Sequence, residues 1–252
     1  MNVEPYLARL NYTAALQPDH ETLRGLQAAH MRAVPFENLD IVPLHRPIEL
    51  DESALWDKIV VRKRGGFCYE LNGLFAWLLK QAGFDVKYLN ARVFTGAGKL
   101  GMDFDHLALL VSAPGKPTRW LADAGFGDSY LEPLVLEEGE QPQGLRAYRL
   151  EPSAGGYIAW QRDYDGTWER LYFFDLKPHD FPAEYESACL YHQKSPESSF
   201  TRRAIISRVI PDGRVSLEQD RLIITKNGAR QELQVNPEEW PGMLWEYFGI
   251  WL

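Results

Sequence analysis

The residue best placed for nucleophilic chemistry is a cysteine that two glycines and an aromatic residue deliver onto the first turn of a predicted helix. Cys68 directly follows Gly65-Gly66-Phe67. The apolar residues that follow it recur at helical spacing: they are Leu71, Leu74, Phe75, Leu78 and Leu79. Unpaired amide groups and the helix dipole favour a thiolate there, and such sites lower a cysteine pKa from about 8.5 to roughly 3.5–7.5. The alternative is that Cys68 is a small core residue that begins this apolar row.

Two later segments carry a base for the thiol and a group that can orient the base, which is the logic of a catalytic triad. His106 opens the alternating segment 106–111, and Asp123 ends the apolar segment 120–123. We expect neighbouring antiparallel strands here, and a carboxylate buried in one strand needs a partner such as an imidazole on the other. That pair would hold His106 in one tautomer, with its second nitrogen facing the thiol. The pattern therefore predicts Cys68, His106 and Asp123 as nucleophile, base and orienting residue.

Each of these residues also has a purely structural interpretation, and the chain contains a rival pair. His106 taken alone is a strand-end histidine, and Asp123 is a turn-initiating aspartate before Gly125. Cys189 and His192 are spaced for one helix face, but they lie in an amphipathic stretch without a carboxylate partner pattern. The joint occurrence of a helix-borne cysteine, a histidine and an aspartate favours the catalytic interpretation.

Three carboxylates near these residues are assigned other roles. Asp105 precedes His106 and should point away from it, because neighbouring side chains on a strand alternate between faces. Glu37 and Glu70 are expected to pair with Arg64 and to brace the turn that leads to the cysteine. Segment 35–40, which contains Glu37, is too polar for a strand and too closely bounded by proline for a helix, so we expect a loop there.

The composition is that of an ordinary soluble globular protein, with 252 residues, 45% of them hydrophobic and 25% charged. A net charge of −8 argues against a general nucleic-acid binder. The two cysteines, Cys68 and Cys189, cannot build a disulfide framework, and closely spaced Cys or His pairs for zinc are missing from the sequence. No apolar run resembles a signal peptide or a membrane span. We therefore expect a cytoplasmic protein with no metal and no nucleic-acid or membrane partner.

The apolar period changes along the chain and predicts an α+β fold in three parts. Residues 1–83 are expected to form a helical bundle that carries the nucleophile, residues 84–183 an antiparallel β-barrel that carries His and Asp, and residues 184–252 an α/β lid. The individual helices are expected at 20–32, 52–61, 68–82, around 184–192 and from Pro237, and the strands at 86–93, 106–111, 118–123, 157–162, 168–174 and within 201–226.

Four short motifs, in this order along the chain, resemble the arylamine N-acetyltransferases. They are Pro-Phe-Glu-Asn at 35–38, Arg-Gly-Gly-Phe-Cys-Tyr-Glu-Leu-Asn at 64–72, His-Leu-Ala-Leu-Leu-Val at 106–111 and Asp-Ala-Gly-Phe-Gly at 123–127. The resemblance is strong over 34–127 and covers the remainder by layout. One departure is an alanine after the motif's aspartate, where that family usually has valine.

The resemblance implies the family's architecture and reaction. The architecture is a helical bundle, a β-barrel and an α/β lid around a cysteine-protease-like core. The reaction is ping-pong transfer from acetyl-CoA, through an acetylated Cys68, to an arylamine, an arylhydrazine or an N-hydroxyarylamine, as in xenobiotic metabolism. The resemblance also places three residues near the acceptor pocket, Phe36, Val93 and Phe126. It places Gly127 beside the coenzyme A arm, with Phe200 as a further substrate-binding residue there.

Three other functions fit the same residues. A Cys-His-Asp hydrolase or transglutaminase-like enzyme shares the order of the three residues and the helix-borne cysteine. An amide synthase that closes a macrolactam is a specialised relative of the same family. In a binding protein, Cys68 would serve only for packing. Incubation with acetyl-CoA alone separates these possibilities, because only a transferase should gain one acetyl group on Cys68.

Overall fold

Helices fill the first third of the chain, and aspartates mark where two of them begin. The computed structural model describes residues 1–137 and 139–252. Asp19 and Asp51 accept hydrogen bonds from first-turn amide groups, which an α-helix leaves unpaired. The elements are α1 (Val3–Leu10), α2 (His20–Ala33), β1 (Phe36–Glu37), α3 (Glu52–Trp56) with a π-helical turn (Asp57–Val61), and α4 (Cys68–Gln81). The sequence analysis did not predict α1. The helices that it did predict are confirmed.

After α4 the chain forms an eight-stranded antiparallel sheet that curls into a nearly closed barrel. The strands are β2 (Asp85–Val93), β3 (His106–Ser112), β4 (Arg119–Ala122), β5 (Leu134–Val135), β6 (Gln141–Gln143), β7 (Arg146–Ser153), β8 (Gly156–Arg162) and β9 (Trp168–Asp175). Their order across the sheet is β5-β4-β3-β2-β9-β8-β7-β6. One face of each long strand fills the barrel interior, as the alternation of side chains requires.

The contact between α4 and β3 positions the site. Every residue from Cys68 to Leu79 is buried, and Leu107 and Leu109 of β3 belong to the same core cluster. The intervening Ala108 and Leu110 belong to the cluster inside the barrel. Strand β3 is therefore covered on both faces, which explains why its sequence is a nearly continuous apolar run after its first residue.

The last third of the chain combines short helices with a second antiparallel sheet. Its elements are α5 (Glu186–Lys194), α6 (Ser199–Arg202), β10 (Ile205–Ile210), β11 (Gly213–Glu218), β12 (Arg221–Lys226), β13 (Ala229–Gln234) and α7 (Trp240–Met243). The sheet has the order β1-β10-β11-β12-β13. Phe36 and Glu37 pair with Ser207 and Ile206, so the prediction that 35–40 is only a loop was wrong. A two-residue strand has no period that a sequence could reveal.

The α+β fold class predicted from the sequence, with its helical bundle, β-barrel and α/β lid, is confirmed. The division at residues 83 and 183 stays a prediction. Within 1–137 and 139–252, no helix is both long and apolar enough to cross a membrane.

A buried histidine in the helical bundle makes stability depend on pH. His30 is fully buried beside Tyr6 and Phe75, and neither ring nitrogen has a hydrogen-bond partner among the described residues. Burial, with a smaller contribution from Arg9, lowers the pKa of His30 to about 3. Because the folded protein binds this proton more weakly than the unfolded chain, its contribution to stability is present above about pH 6.5 and is lost as the pH falls from there towards 3.

We expect His30→Leu to reduce the acid sensitivity of folding. Wild-type protein should lose about 2 kcal/mol of unfolding free energy through this residue between neutral pH and about pH 5, since each pH unit below 6.5 changes the linkage by about 1.4 kcal/mol. Urea unfolding at both pH values gives the change in unfolding free energy with pH for the wild type and for the variant. The difference between these two changes measures the contribution of His30, because the cost of repacking in the variant is the same at both pH values and cancels. His20→Leu, at an exposed position, is the matched control. An equal pH dependence of wild type and His30→Leu would contradict the assignment.

Candidate active site

The proposed nucleophile is the first residue of α4. Phe67 precedes Cys68 as the N-cap residue, and the Glu70 carboxylate accepts a hydrogen bond of 3.1 Å from the Phe67 amide. The glycine before this turn has no room for a side chain, because a Cβ on Gly65 would lie 2.0 Å from the carbonyl oxygen of Pro35. The two-glycine approach is therefore required by the packing of the chain that leads into the helix.

The predicted base and orienting residue form a buried pair. His106 Nε2 lies 2.7 Å from Asp123 Oδ2, and the two residues are 3% and 0% exposed. The same carboxylate accepts three further hydrogen bonds, from the Tyr172 hydroxyl (3.0 Å), the Asn72 amide (2.8 Å) and the Gly125 N–H (2.9 Å). Hydrogen bonds of this number compensate the cost of burying a carboxylate.

Asn72 links the three segments that bear Cys68, His106 and Asp123. It lies one helical turn after Cys68, and besides Asp123 its amide nitrogen also donates to the Leu107 carbonyl at 2.6 Å. Its oxygen accepts a 2.8 Å hydrogen bond from the Ala124 N–H. A Cβ on Gly125 would come within 2.8 Å of Cys68 Cα, so the loop after Asp123 lies directly against the start of α4. With Nε2 of the histidine engaged by Asp123, Nδ1 is the ring nitrogen left for the thiol.

The environment of the thiol differs from the one expected at an open helix end. Cys68 is 3% exposed, and burial raises its pKa well above the usual range, more than a hydrogen bond from the Leu107 backbone lowers it. The negative charges of Asp123 and Asp105 raise the pKa further. The expectation that the helix N-terminus alone yields a low cysteine pKa was therefore wrong, because desolvation outweighs it. A thiolate at this position requires a proton acceptor in contact with it.

Aromatic side chains surround this centre. The ring of Phe126 lies 5.1 Å from the His106 ring, and the ring of Phe200 lies 5.7 Å from that of Phe67, the neighbour of the cysteine. Phe36 lies 6.1 Å from Phe200. All three outer phenylalanines are only partly buried, so their rings form an aromatic wall that a ligand can reach.

The remaining predicted substrate residues lie close by. Val93 pairs with Tyr172 across strands β2 and β9, and it packs with Phe126 against the core of the barrel. Gly127 and Phe36 together line one side of a cavity of about 280 Å³. Gly127 has a φ of +90°, a backbone conformation that glycine adopts without strain.

The other side of this cavity is the polar face of the C-terminal sheet. Strands β10 to β13 contribute alternate residues to it, and the intervening residues pack in the core beneath. Two arginines, Arg214 and Arg230, stand on this face among hydroxyl groups, and Arg214 is paired at 3.0 Å with Asp128, which lines the cavity together with Glu218. The hydroxyl groups belong to Ser207, Ser216 and Thr225. The sequence analysis missed this face, although alternation within 205–230 could have shown it.

A network of buried charges supports the turn before the cysteine. Arg64 lies 2.7 Å from Glu37 and 3.4 Å from Asp40, and Lys58 lies 2.6 Å from Asp40 and 2.7 Å from Glu70. The predicted pairing of Glu37 with Arg64 is confirmed, whereas the partner of Glu70 is Lys58. Burial raises the pKa of Asp40, but Lys58 and Arg64 outweigh burial and hold it below its usual range. Oppositely charged groups thus compensate each other inside the fold.

The sequence analysis also missed three polar residues around Asp123. They are Asn72, Tyr172 and Tyr130, whose hydroxyl lies 2.6 Å from that of Tyr172. Only Asn72 carried a signal, because an amide inside the apolar run of α4 must find partners when buried. Tyr172 is an ordinary residue of strand β9 and Tyr130 lies in the segment between β4 and β5, so neither carried a signal in the sequence, and both reach Asp123 only through the tertiary fold.

The rival pair does not assemble as a dyad. Cys189 Sγ accepts a hydrogen bond from Gln193 at 3.3 Å, and burial raises the pKa of Cys189 to about 12. His192 Nδ1 instead lies 3.1 Å from the Ser198 hydroxyl. Among residues 1–137 and 139–252, no group of three or more His, Cys, Asp or Glu side chains is arranged to hold a metal ion.

The sequence of this chain is similar to those of known proteins. Residues 19–252 match the family model described as N-acetyltransferase. The arylamine N-acetyltransferase of Mycolicibacterium smegmatis is 34% identical over 239 residues, which cover 93% of this chain and 86% of that protein. The arylamine N-acetyltransferase / N-hydroxyarylamine O-acetyltransferase of Salmonella typhimurium is 36% identical over 210 residues, which cover 82% of this chain and 73% of that protein.

The solved structures agree with the sequence relatives. The structure of Mycobacterium marinum arylamine N-acetyltransferase in complex with CoA superposes with a TM-score of 0.91 at 31% identity, over 99% of this chain and 93% of that one. Similarity of this extent includes the segments that bear Cys68, His106 and Asp123, the barrel and the C-terminal sheet. The chain therefore belongs to the arylamine N-acetyltransferase family.

Proposed function

We propose that this protein transfers an acetyl group from acetyl-CoA to the nitrogen of arylamines and arylhydrazines, and to the oxygen of N-hydroxyarylamines, by a ping-pong mechanism. The observation that carries the proposal is the buried His106–Asp123 pair, held by Asn72 against the first turn of the helix that bears Cys68. The names of the relatives from Salmonella typhimurium and Mycobacterium marinum support the acceptors and the coenzyme.

In the first half-reaction His106 Nδ1 takes the proton of the Cys68 thiol, and Asp123 stabilises the resulting imidazolium. The thiolate attacks the thioester carbonyl of acetyl-CoA and forms a new carbon–sulfur bond. The bond to the coenzyme sulfur then breaks, and the coenzyme leaves with the proton held by His106. Backbone N–H groups at the start of α4 are suited to stabilise the oxyanion of the tetrahedral intermediate.

In the second half-reaction an acceptor nitrogen or hydroxyl oxygen attacks the acetyl-cysteine. His106 takes the proton that the acceptor loses, the carbon–sulfur bond breaks, and the Cys68 thiolate regains a proton from the imidazolium. A thioester suits this step because a thiolate is a good leaving group and an aromatic amine is largely unprotonated at neutral pH. The sequence of two transfers returns the enzyme to its starting state.

The proposed substrate contacts use the aromatic wall and the cavity beside it. Phe36 and Phe126 line the cavity, and their rings together with that of Phe200 would supply faces for an aromatic acceptor, with Val93 packed near Phe126. The coenzyme arm passes Gly127 and continues along the polar face of the C-terminal sheet. There the guanidinium groups of Arg214 and Arg230 suit the coenzyme phosphates.

A cytoplasmic location is part of the proposal. The mechanism requires a reduced thiol at position 68, and both cysteines, Cys68 and Cys189, are free. A compartment that keeps thiols reduced is therefore the setting in which this site works.

The test is incubation of the wild-type protein with acetyl-CoA in the absence of an acceptor, followed by peptide mass spectrometry. We expect one acetyl group, on Cys68 and not on Cys189, and we expect the Cys189→Ala variant to be acetylated to the same extent. Addition of an aromatic amine should then remove the acetyl group and yield the N-acetylated amine. Absence of the acetyl-enzyme, or its hydrolysis without transfer to the amine, would contradict the proposal, and hydrolysis would favour the hydrolase alternative.

A further inference from the structure

A histidine outside the proposed triad contacts the residue before His106 and the aromatic wall. His192, on α5, is 6% exposed, and its Nδ1 lies 3.1 Å from the Ser198 hydroxyl. Its Nε2 lies 3.2 Å from Asp105 Oδ1, and Asp105 is the residue immediately before His106. A buried titratable side chain in such a position must have its polar atoms matched, because an unmatched buried polar group is costly.

The hydrogen-bond network joins His192 to two segments of the chain. The Ser198 hydroxyl oxygen caps α6 by accepting the N–H of Phe200 at 3.2 Å, and the same hydroxyl shares a hydrogen bond of 3.1 Å with His192 Nδ1. Nε2 faces the Asp105 carboxylate at 3.2 Å, in a contact that lacks hydrogen-bond geometry. The other oxygen of Asp105 is held by the N–H of Val93 at 3.2 Å.

The imidazole ring also touches the residues beside the nucleophile. It lies 6.1 Å from the ring of Tyr69, which follows Cys68, and 5.3 Å edge-on from the ring of Phe200. The Tyr69 hydroxyl in turn donates to the backbone carbonyl of Phe104 at 2.7 Å. The His192 side chain thus contacts α4, which bears Cys68, and α6, which bears Phe200. It also contacts Asp105, the residue that precedes strand β3.

Phe200 has few other constraints. It stands on α6, which is only four residues long, and its carbonyl accepts one hydrogen bond from Asn38 at 2.8 Å. The ring is held in place by Phe36 and Phe67 on one side and by His192 on the other. Removal of the His192–Ser198 hydrogen bond would therefore loosen the helix cap and the aromatic wall together.

We propose that His192 is a positioning residue that fixes Phe200 through Ser198 and through its contact with Asp105, and thereby limits the length of the acyl group that the site accepts. The inference rests on the proposed function. A wall held against Phe67, the neighbour of the acylated cysteine, leaves room for an acetyl group and crowds a longer chain. In a hydrophobic pocket each additional methylene is discriminated about 10- to 200-fold when the wall is rigid.

The experiment compares acylation of Cys68 by acetyl-CoA and by n-butyryl-CoA in variants of this link. His192→Phe keeps the ring but loses both polar contacts, and we expect the acetyl-to-butyryl ratio of kcat/KM to fall about tenfold. His192→Asn keeps a hydrogen-bonding group near the position of Nδ1 and should retain the wild-type ratio within about threefold. Ser198→Ala breaks the link from its other end and should reproduce the effect of His192→Phe. Leu190→Ala, at an exposed position of α5, is the control.

A second measurement separates positioning from general damage. Alkylation of Cys68 by iodoacetamide depends on the thiol and the His106–Asp123 pair, so we expect its rate in His192→Phe to stay within about threefold of wild type. An unchanged acyl ratio in both His192→Phe and Ser198→Ala would overturn the inference. A parallel loss of alkylation and acylation would also overturn it, because His192 would then support the triad itself. Failure of the wild type to form any acetyl-Cys68 would instead refute the proposed function.

Discussion

Replacement of His106 by glutamine will lower the rate of Cys68 alkylation by iodoacetamide at neutral pH by about a thousandfold, within the range that loss of a general base commonly produces. The reason lies in the burial of the thiol, which raises the pKa of Cys68 well above its ordinary value. In the proposed mechanism the His106 imidazole of the wild type accepts the thiol proton inside the site. Glutamine can still hydrogen-bond to Asp123, which preserves packing, but it cannot take a proton.

The pH dependence of the alkylation rate should differ between His106→Gln and the wild type. Without the base, the reactive thiolate forms only by loss of a proton to solvent, so the alkylation rate of the variant should rise about tenfold per pH unit and continue to rise beyond pH 9. The wild type should reach its plateau at a lower pH. His20→Gln, at an exposed histidine, is the matched control and should behave as wild type. An alkylation rate in His106→Gln that is near the wild-type rate at neutral pH would refute the assignment of the base.

Replacement of Arg64 by methionine will lower the free energy of unfolding by about 3–5 kcal/mol, the usual effect of removing one partner of a buried ion pair. Arg64 is 4% exposed, and its guanidinium neutralises Glu37 at 2.7 Å and Asp40 at 3.4 Å. The remaining carboxylates would be buried with only Lys58 as a cationic partner. Urea unfolding followed by circular dichroism measures the loss.

Two further variants show that the loss comes from the uncompensated charge. Arg62→Met, two residues away, removes a pair with Asp57 in which both side chains are about half exposed, and it should cost less than about 1 kcal/mol. The double variant Arg64→Met/Glu37→Gln should be more stable than Arg64→Met alone, because it removes the orphaned charge as well. A loss for Arg64→Met no greater than that for Arg62→Met would contradict the prediction.

Sequence patterns predicted the parts of the site that depend on local structure. The two glycines before Cys68 indicate the turn and the helix start. The alternation of apolar residues after His106 indicates the strand that α4 covers. These features need only the periodicity of one segment, so they can be recognised before any tertiary contact is known. The α+β class follows in the same way from the change of period beyond Gly83.

The features that escaped prediction depend on contacts between distant segments. Lys58 stands in an amphipathic helix where a lysine normally faces solvent, and its burial is decided by Asp40 and Glu70 meeting beneath the turn. Tyr172 reaches Asp123 only because β9 pairs with β2 in the nearly closed barrel. The sequence analysis also missed that burial raises the pKa of the Cys68 thiol. The residues at a helix start do not show how deeply the packing of distant segments buries it.

The amide of Asn72 bridges positions 35 and 51 residues away along the chain. Until those segments meet, the sulfur at position 68 belongs to an ordinary cysteine with neither a proton acceptor beside it nor a carboxylate behind that acceptor. Competence for the proposed acyl transfer is consequently expected to appear only when these segments have met, and a variant that loses the Asn72 amide should lose it without any change at the cysteine itself.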